Sequence, residues 1–80
     1  NPKAPVHVLL IPRQHVTSLN EVSDGLSDML GKLLVRAKII AEKLGIDKSG
    51  YRVIINTGPD SGMVVHHLHI HIMGGRPLEV

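Results

Sequence analysis

The sequence has no cysteine, tryptophan or phenylalanine, and Tyr51 is its one aromatic residue of the Phe, Trp and Tyr set. Lacking cysteine, it has no disulfide framework, no thiolate metal site and no sulfur nucleophile. Its core must be almost wholly aliphatic. The aromatic stacking platforms that single-strand nucleic-acid binders interleave with basic residues are missing, so no nucleic-acid partner is expected. No run within the chain approaches the ~20 uninterrupted apolar residues of a membrane-spanning helix. Charge of one sign is also scarce: nine Lys and Arg stand scattered against seven Asp and Glu, for a net charge of +2. No signal or basic targeting segment is visible, and a cytoplasmic location with no membrane partner is the expectation.

What is present reads as one small globular domain over residues 1–80, since 42% of the chain is hydrophobic and 20% charged. A core of this size rarely supplies more than roughly 3–5 kcal/mol on its own. A metal, a partner subunit or further chain is therefore expected to help hold it. The chain opens at Asn1-Pro2 without Met, and residues upstream are expected.

Residues 6–11 (Val-His-Val-Leu-Leu-Ile) form a short β-branched apolar run stopped by Pro12, which predicts a strand. Residues 13–20 are a polar connection. Ser23 or Asp24 can cap a helix, after which Leu26, Met29, Leu30, Leu33, Leu34, Ala37, Ile40, Ala41 and Leu44 recur at helical spacing. Asp28, Lys32, Arg36 and Glu42 occupy the opposite side. Gly45 stands where a left-handed helix cap is wanted. Residues 51–56 predict a second strand, residues 57–62 (Thr-Gly-Pro-Asp-Ser-Gly) a turn, and residues 64–73 a third strand closed by Gly74-Gly75. The expected fold is α+β: an antiparallel sheet of at least three strands with one long helix packed on it. The last two strands should be antiparallel neighbours, because only a short loop joins them.

Six of the eighty residues are His, and the informative segment is His66-His67-Leu68-His69-Ile70-His71-Ile72-Met73. Side chains alternate along a strand, so His67, His69 and His71 are expected on one face, about 6.6 Å apart at successive steps. Leu68, Ile70 and Ile72 then point to the helix. His66 falls on the apolar side or at the strand's start and receives no role. Each imidazole has two nitrogens that need partners, so three on one face are a poor way to build a core. Two chemistries fit. Alternating His residues can supply nitrogen ligands to zinc. Alternatively one imidazole is a nucleophile, while its neighbours fix its tautomer, bind an anionic group and move protons. A neutral ring nitrogen is nucleophilic near pH 7 and suits attack at phosphorus. Only Asp60 and Glu79 lie close in sequence, so paired-carboxylate chemistry has little to stand on.

His67-Leu68-His69-Ile70-His71-Ile72-Met73 matches, at every position, the alternating signature of the histidine triad (HIT) superfamily. The trailing Gly74-Gly75-Arg76 resembles the Hint branch, the purine nucleoside phosphoramidases. Upstream, residues 4–15 (Ala-Pro-Val-His-Val-Leu-Leu-Ile-Pro-Arg-Gln-His) are similar to that branch's strand with an additional histidine. Residues 50–58 (Gly-Tyr-Arg-Val-Ile-Ile-Asn-Thr-Gly) resemble the strand that ends in its phosphate-contacting asparagine.

The resemblance implies a hydrolase that needs no cofactor and cleaves the P–N bond of purine nucleoside 5′-phosphoramidates through a nucleotidyl-histidine intermediate. It implies that His69 attacks the α-phosphorus and that His71 contacts the phosphoryl oxygens. His67 would orient His69, and His7 would complete the proton relay to the leaving amine. Asn56 would donate its amide to a phosphate oxygen. Positioned donors of this kind are what stabilises a phosphoryl group in transfer. His15, after Pro12, reads as a solvated loop residue, and Arg76 as a partner for a loop or solvent. The family fold has five strands, and its members pair as homodimers through the helix. The extra aliphatic positions Val35 and Ile39 agree with such pairing.

Two departures stand out. Where the branch carries polar residues just before the triad, this chain has Gly62-Met63-Val64. Backbone N–H groups of that loop can hold phosphate, but the side-chain contacts are lost, and rate or leaving-group preference is expected to differ. The acidic residue that holds the ribose hydroxyls in the family would lie before Asn1. A nucleotide-binding regulatory protein with little turnover, and a zinc-binding protein, are the alternatives to the enzyme.

Overall fold

The computed structural model describes residues 4–62 and 65–79. Three strands, β1 (Val6–Leu10), β2 (Tyr51–Ile54) and β3 (Ile70–Gly74), form an antiparallel sheet in the order β1-β3-β2, and one long helix, α1 (Ser27–Lys43), packs on it. The last strand in sequence is thus the central one. It pairs antiparallel with both neighbours, Val8 opposite Ile72 on one side and Val53 opposite Ile72 on the other.

Alternation along β3 decides which face the helix covers. Ile70 and Ile72 are fully buried, and they share a core with Leu33, Ala37 and Ala41 of α1. Those three helical residues recur every four positions, so they form one stripe, and the two alanines let the helix sit close to the strand. Val6, Val8 and Leu10 of β1 pack against the same core. Val16, Ile46 and Leu68, all buried, close its margins. The opposite face of the sheet carries His7 and Leu9 from β1 and His71 and Met73 from β3. No helix among the described residues is long and apolar enough to cross a membrane.

The helix start differs from the sequence expectation. A 3-10 turn, Asp24–Leu26, precedes α1, with the Leu26 N–H donating to the Ser23 carbonyl at 2.9 Å. Ser23 makes no side-chain cap bond; its backbone, rather than its hydroxyl, closes the first turn. The helix end follows expectation. Gly45 has φ 73°, its N–H reaches the Glu42 carbonyl at 3.1 Å, and the Ile46 N–H reaches Ala41 at 3.1 Å. This is the double bond of a left-handed glycine cap, and it drives Ile46 back into the core.

All three strands are shorter than the sequence suggests, the third most of all. Expected from residue 64, it begins at Ile70. The reason lies in its partner. Ile70 is paired with Leu10, the last residue of β1. Beyond it come Ile11 and Pro12, and proline cannot continue a ladder. His67 and His69 therefore precede the strand, and strict alternation does not govern them.

Candidate active site

Five of the six histidines assemble as two groups. His7, on β1, and His71, on β3, meet nitrogen to nitrogen, Nε2 to Nδ1, at 2.9 Å. Their ring centroids lie 5.1 Å apart and tilted by 35°. His69 stands edge-on to His71, with centroids 5.0 Å apart and planes at 69°. The second group is a pair: His15 and His67 meet edge-on at 4.9 Å. This corrects the expectation of three imidazoles in a row on one strand face. His67 lies outside the ladder and turns its ring to His15, while His7 joins His69 and His71. His15 is exposed, as a solvated loop residue should be, and it also packs its ring against His67.

His69 is the one buried polar residue among those described, at 8% exposure. Its Nδ1 lies 2.7 Å from the backbone carbonyl of His67. A carbonyl only accepts, so Nδ1 carries the hydrogen, and in the neutral ring Nε2 keeps its lone pair. The contact of His67 with His69 is made by its main-chain carbonyl rather than by its ring. The His67 ring has a different situation: its Nε2 is buried with no hydrogen-bond partner among the described residues.

Burial first, then the neighbouring His69 and His7, lower the pKa of His71 below the usual histidine value. Crowding by like charge disfavours a second proton in this cluster, so His71 stays neutral to lower pH than an isolated imidazole. The His7–His71 contact also bears on metal binding. The two nitrogens that face each other at 2.9 Å share a hydrogen bond rather than an ion, and among the described residues no three His, Cys, Asp or Glu are grouped as for a metal ion.

Asn56 sits two residues past β2, where its Nδ2 donates to the Ser61 carbonyl at 2.9 Å. That bond closes the turn over residues 57–60 and leaves the second amide hydrogen of Asn56. Gly62, a second expected phosphate contact, commits its N–H to the Pro59 carbonyl at 3.1 Å. Met63 and Val64, the other expected phosphate contacts of this loop, lie outside the described residues. His66 is exposed. A broad open groove of about 1060 Å³ lies elsewhere, along the N-terminal half of α1 near Arg13, Met29, Lys32 and Arg36, with no histidine among its described lining residues. Chemistry rather than size therefore marks the candidate site.

A short antiparallel sheet that presents clustered imidazoles, with one ring's proton fixed away from its second nitrogen, is an architecture suited to nucleophilic histidine chemistry. Residues 1–78 match the HIT domain family, and the chain belongs to it. It is 44% identical over 78 residues to the purine nucleoside phosphoramidase of Escherichia coli K12, a match covering 98% of this chain and 66% of that protein. Its structure is similar to that of a histidine triad protein from Clostridium difficile, with TM-score 0.95 and 41% identity over 100% of this chain and 70% of the other. A HIT family hydrolase from Legionella pneumophila is similar at TM-score 0.93 and 41% identity, over 95% and 68% of the two chains. The chain spans about two thirds of the length of these relatives.

Proposed function

We propose that this chain carries the reacting centre of a hydrolase that cleaves the P–N bond of purine nucleoside 5′-phosphoramidates through a nucleotidyl-histidine intermediate. The observation that carries the reading is the 2.7 Å bond from His69 Nδ1 to the His67 carbonyl. It prepares Nε2 of one buried imidazole as a nucleophile without requiring a neighbouring base. The phosphoramidase named among the relatives supports the substrate class.

In the proposed reaction, Nε2 of His69 attacks the α-phosphorus, a P–N(His) bond forms and the P–N bond to the amine breaks. The departing amine takes a proton relayed through His7 and His71. Water then attacks the phosphorus, the P–N bond to His69 breaks and the water's proton passes back to the His71–His7 relay, releasing the nucleoside monophosphate and returning His69 to its starting tautomer. For His71 to meet a phosphoryl oxygen it must present Nε2–H. That requires its Nδ1 to accept from His7 Nε2–H, and the 2.9 Å contact allows this direction. The second Nδ2 hydrogen of Asn56, and the backbone of Met63 and Val64, complete the proposed phosphate contacts. Leu34 and Val35, 46% and 58% exposed on α1, are the proposed pairing surface of a homodimer.

The test is release of AMP from adenosine 5′-phosphoramidate by the protein and by His69→Ala. The wild type should turn over, and acid-labile labelled AMP should be trapped on His69. The variant should lose turnover by about a thousandfold or more, as expected for removal of a covalent nucleophile. Full activity in His69→Ala, or an adduct mapped to another residue, would overturn the reading. Nucleotide binding without turnover in the wild type would favour the regulatory alternative.

A further inference from the structure

We infer that His15 is a positioning residue for His69, acting through the ring and main chain of His67. The inference rests on the proposed role of His69 as nucleophile, because a fixed tautomer matters only if Nε2 reacts.

The carbonyl that holds the His69 proton belongs to a residue outside the sheet. His67 precedes the first ladder residue of β3, Ile70, by three positions, so no strand pairing fixes its peptide plane. Something else must, since this 2.7 Å hydrogen bond weakens steeply once the acceptor turns far enough to bend the N–H···O angle toward about 120°. The loop after β1 supplies two contacts, from consecutive residues. Val16, buried at 5% exposure, accepts the Leu68 N–H on its carbonyl at 2.6 Å. Leu68 is itself 1% exposed and anchors its own peptide in the core. Next to Val16, His15 sets its ring edge-on against His67 with centroids 4.9 Å apart. The His67 carbonyl is thus bracketed, by the Leu68 amide on the main-chain side and by the His15 ring on the side-chain side.

Any residue at position 67 would offer a carbonyl, so the hydrogen bond does not explain an imidazole there. Packing against His15 does. The buried Nε2 of His67 makes no hydrogen bond among the described residues. Its packing on the His15 ring is the contact that orients it, since edge-to-face packing of rings favours a defined orientation. His15 is exposed, so its removal should leave the fold intact while loosening the carbonyl.

The experiment compares wild type, His15→Ala and His15→Phe by long-range ¹H–¹⁵N NMR of the imidazoles and by kinetics with adenosine 5′-phosphoramidate. The wild-type spectrum should show His69 protonated at Nδ1. In His15→Ala that tautomer should lose population, and kcat should fall about ten- to a hundredfold, the scale of a small misplacement of a reacting group, with KM little changed. His15→Phe restores a ring without a titratable nitrogen and should recover both signals. An unchanged His69 tautomer in His15→Ala would overturn the inference. So would a His15→Phe variant as impaired as His15→Ala with one limb of its pH profile gone, because that marks proton transfer or ligand contact by His15 itself. The NMR comparison holds whether or not the substrate is turned over, so failure of the reaction assignment and failure of the brace are separately visible.

Discussion

His7 Nε2 lies 2.9 Å from His71 Nδ1, sixty-four residues further along the chain. The two are diagonal neighbours on the open face of the sheet, since His7 is opposite Met73 and His71 is opposite Leu9. Diagonal cross-strand residues are far enough apart that only long or ring side chains touch. Register therefore sets this contact, and a one-residue slip would turn one ring to the core face.

Removing the first of these rings should impair proton transfer rather than binding. His7→Ala is expected to lower kcat for a nucleoside phosphoramidate about a hundredfold, the lower end of the general acid–base range, with little change in KM. Since His7 is one of the groups that lower the pKa of His71, after burial and His69, the His71 titration should also move upward. NMR titration of the imidazole reads this directly. An unchanged His71 titration with unchanged kcat would rule out the relay.

Stability should fall on mild acidification, with His71 contributing part of the slope. Its pKa in the folded chain is below the usual 6.5, whereas the unfolded chain has no such shift. Below about pH 6.5 the unfolded state thus binds more protons, so stability rises with pH there. The contribution is fully present above that value and is lost as pH falls through the folded pKa. Urea midpoints measured from pH 7.5 to 5 should decline less steeply for His71→Gln than for the wild type. Parallel slopes would refute the assignment.

At Gly74 the limit is space rather than backbone angle. A Cβ built there would lie 3.0 Å from Ile46 Cδ1 and 3.2 Å from the Gly50 carbonyl oxygen. The isoleucine end can shift slightly, but the backbone oxygen cannot move without its peptide. Gly74→Ala should therefore destabilise by about 1–3 kcal/mol, the usual scale of overpacking. A urea midpoint equal to wild type would show that the helix cap gives way at little cost.

The aliphatic core leaves little reserve. Ile70 is 0% exposed between α1 and the sheet, and deleting its side chain to alanine should cost about 2–5 kcal/mol. That is comparable to the whole stability expected of a core this small, so Ile70→Ala should be largely unfolded at 25 °C by circular dichroism. Ile70→Val should remain folded, at a loss of about 1 kcal/mol.

The helix was legible in the sequence because its determinants are local. Leu33, Ala37 and Ala41 repeat at the helical period, and Gly45 terminates it by a conformation that needs no distant partner. The alternation of Ile70, His71 and Ile72 likewise sorted core from open face, and the histidine motif pointed to the family. The start of β3 was not legible, because it depends on where β1 runs out against Pro12, some sixty residues earlier. For the same reason the third ring of the cluster proved to be His7 rather than His67. Linear spacing determined that imidazoles would gather near the final strand. Strand register and a loop packed across it decided which ones touch, since both arise from contacts between segments that no local pattern encodes.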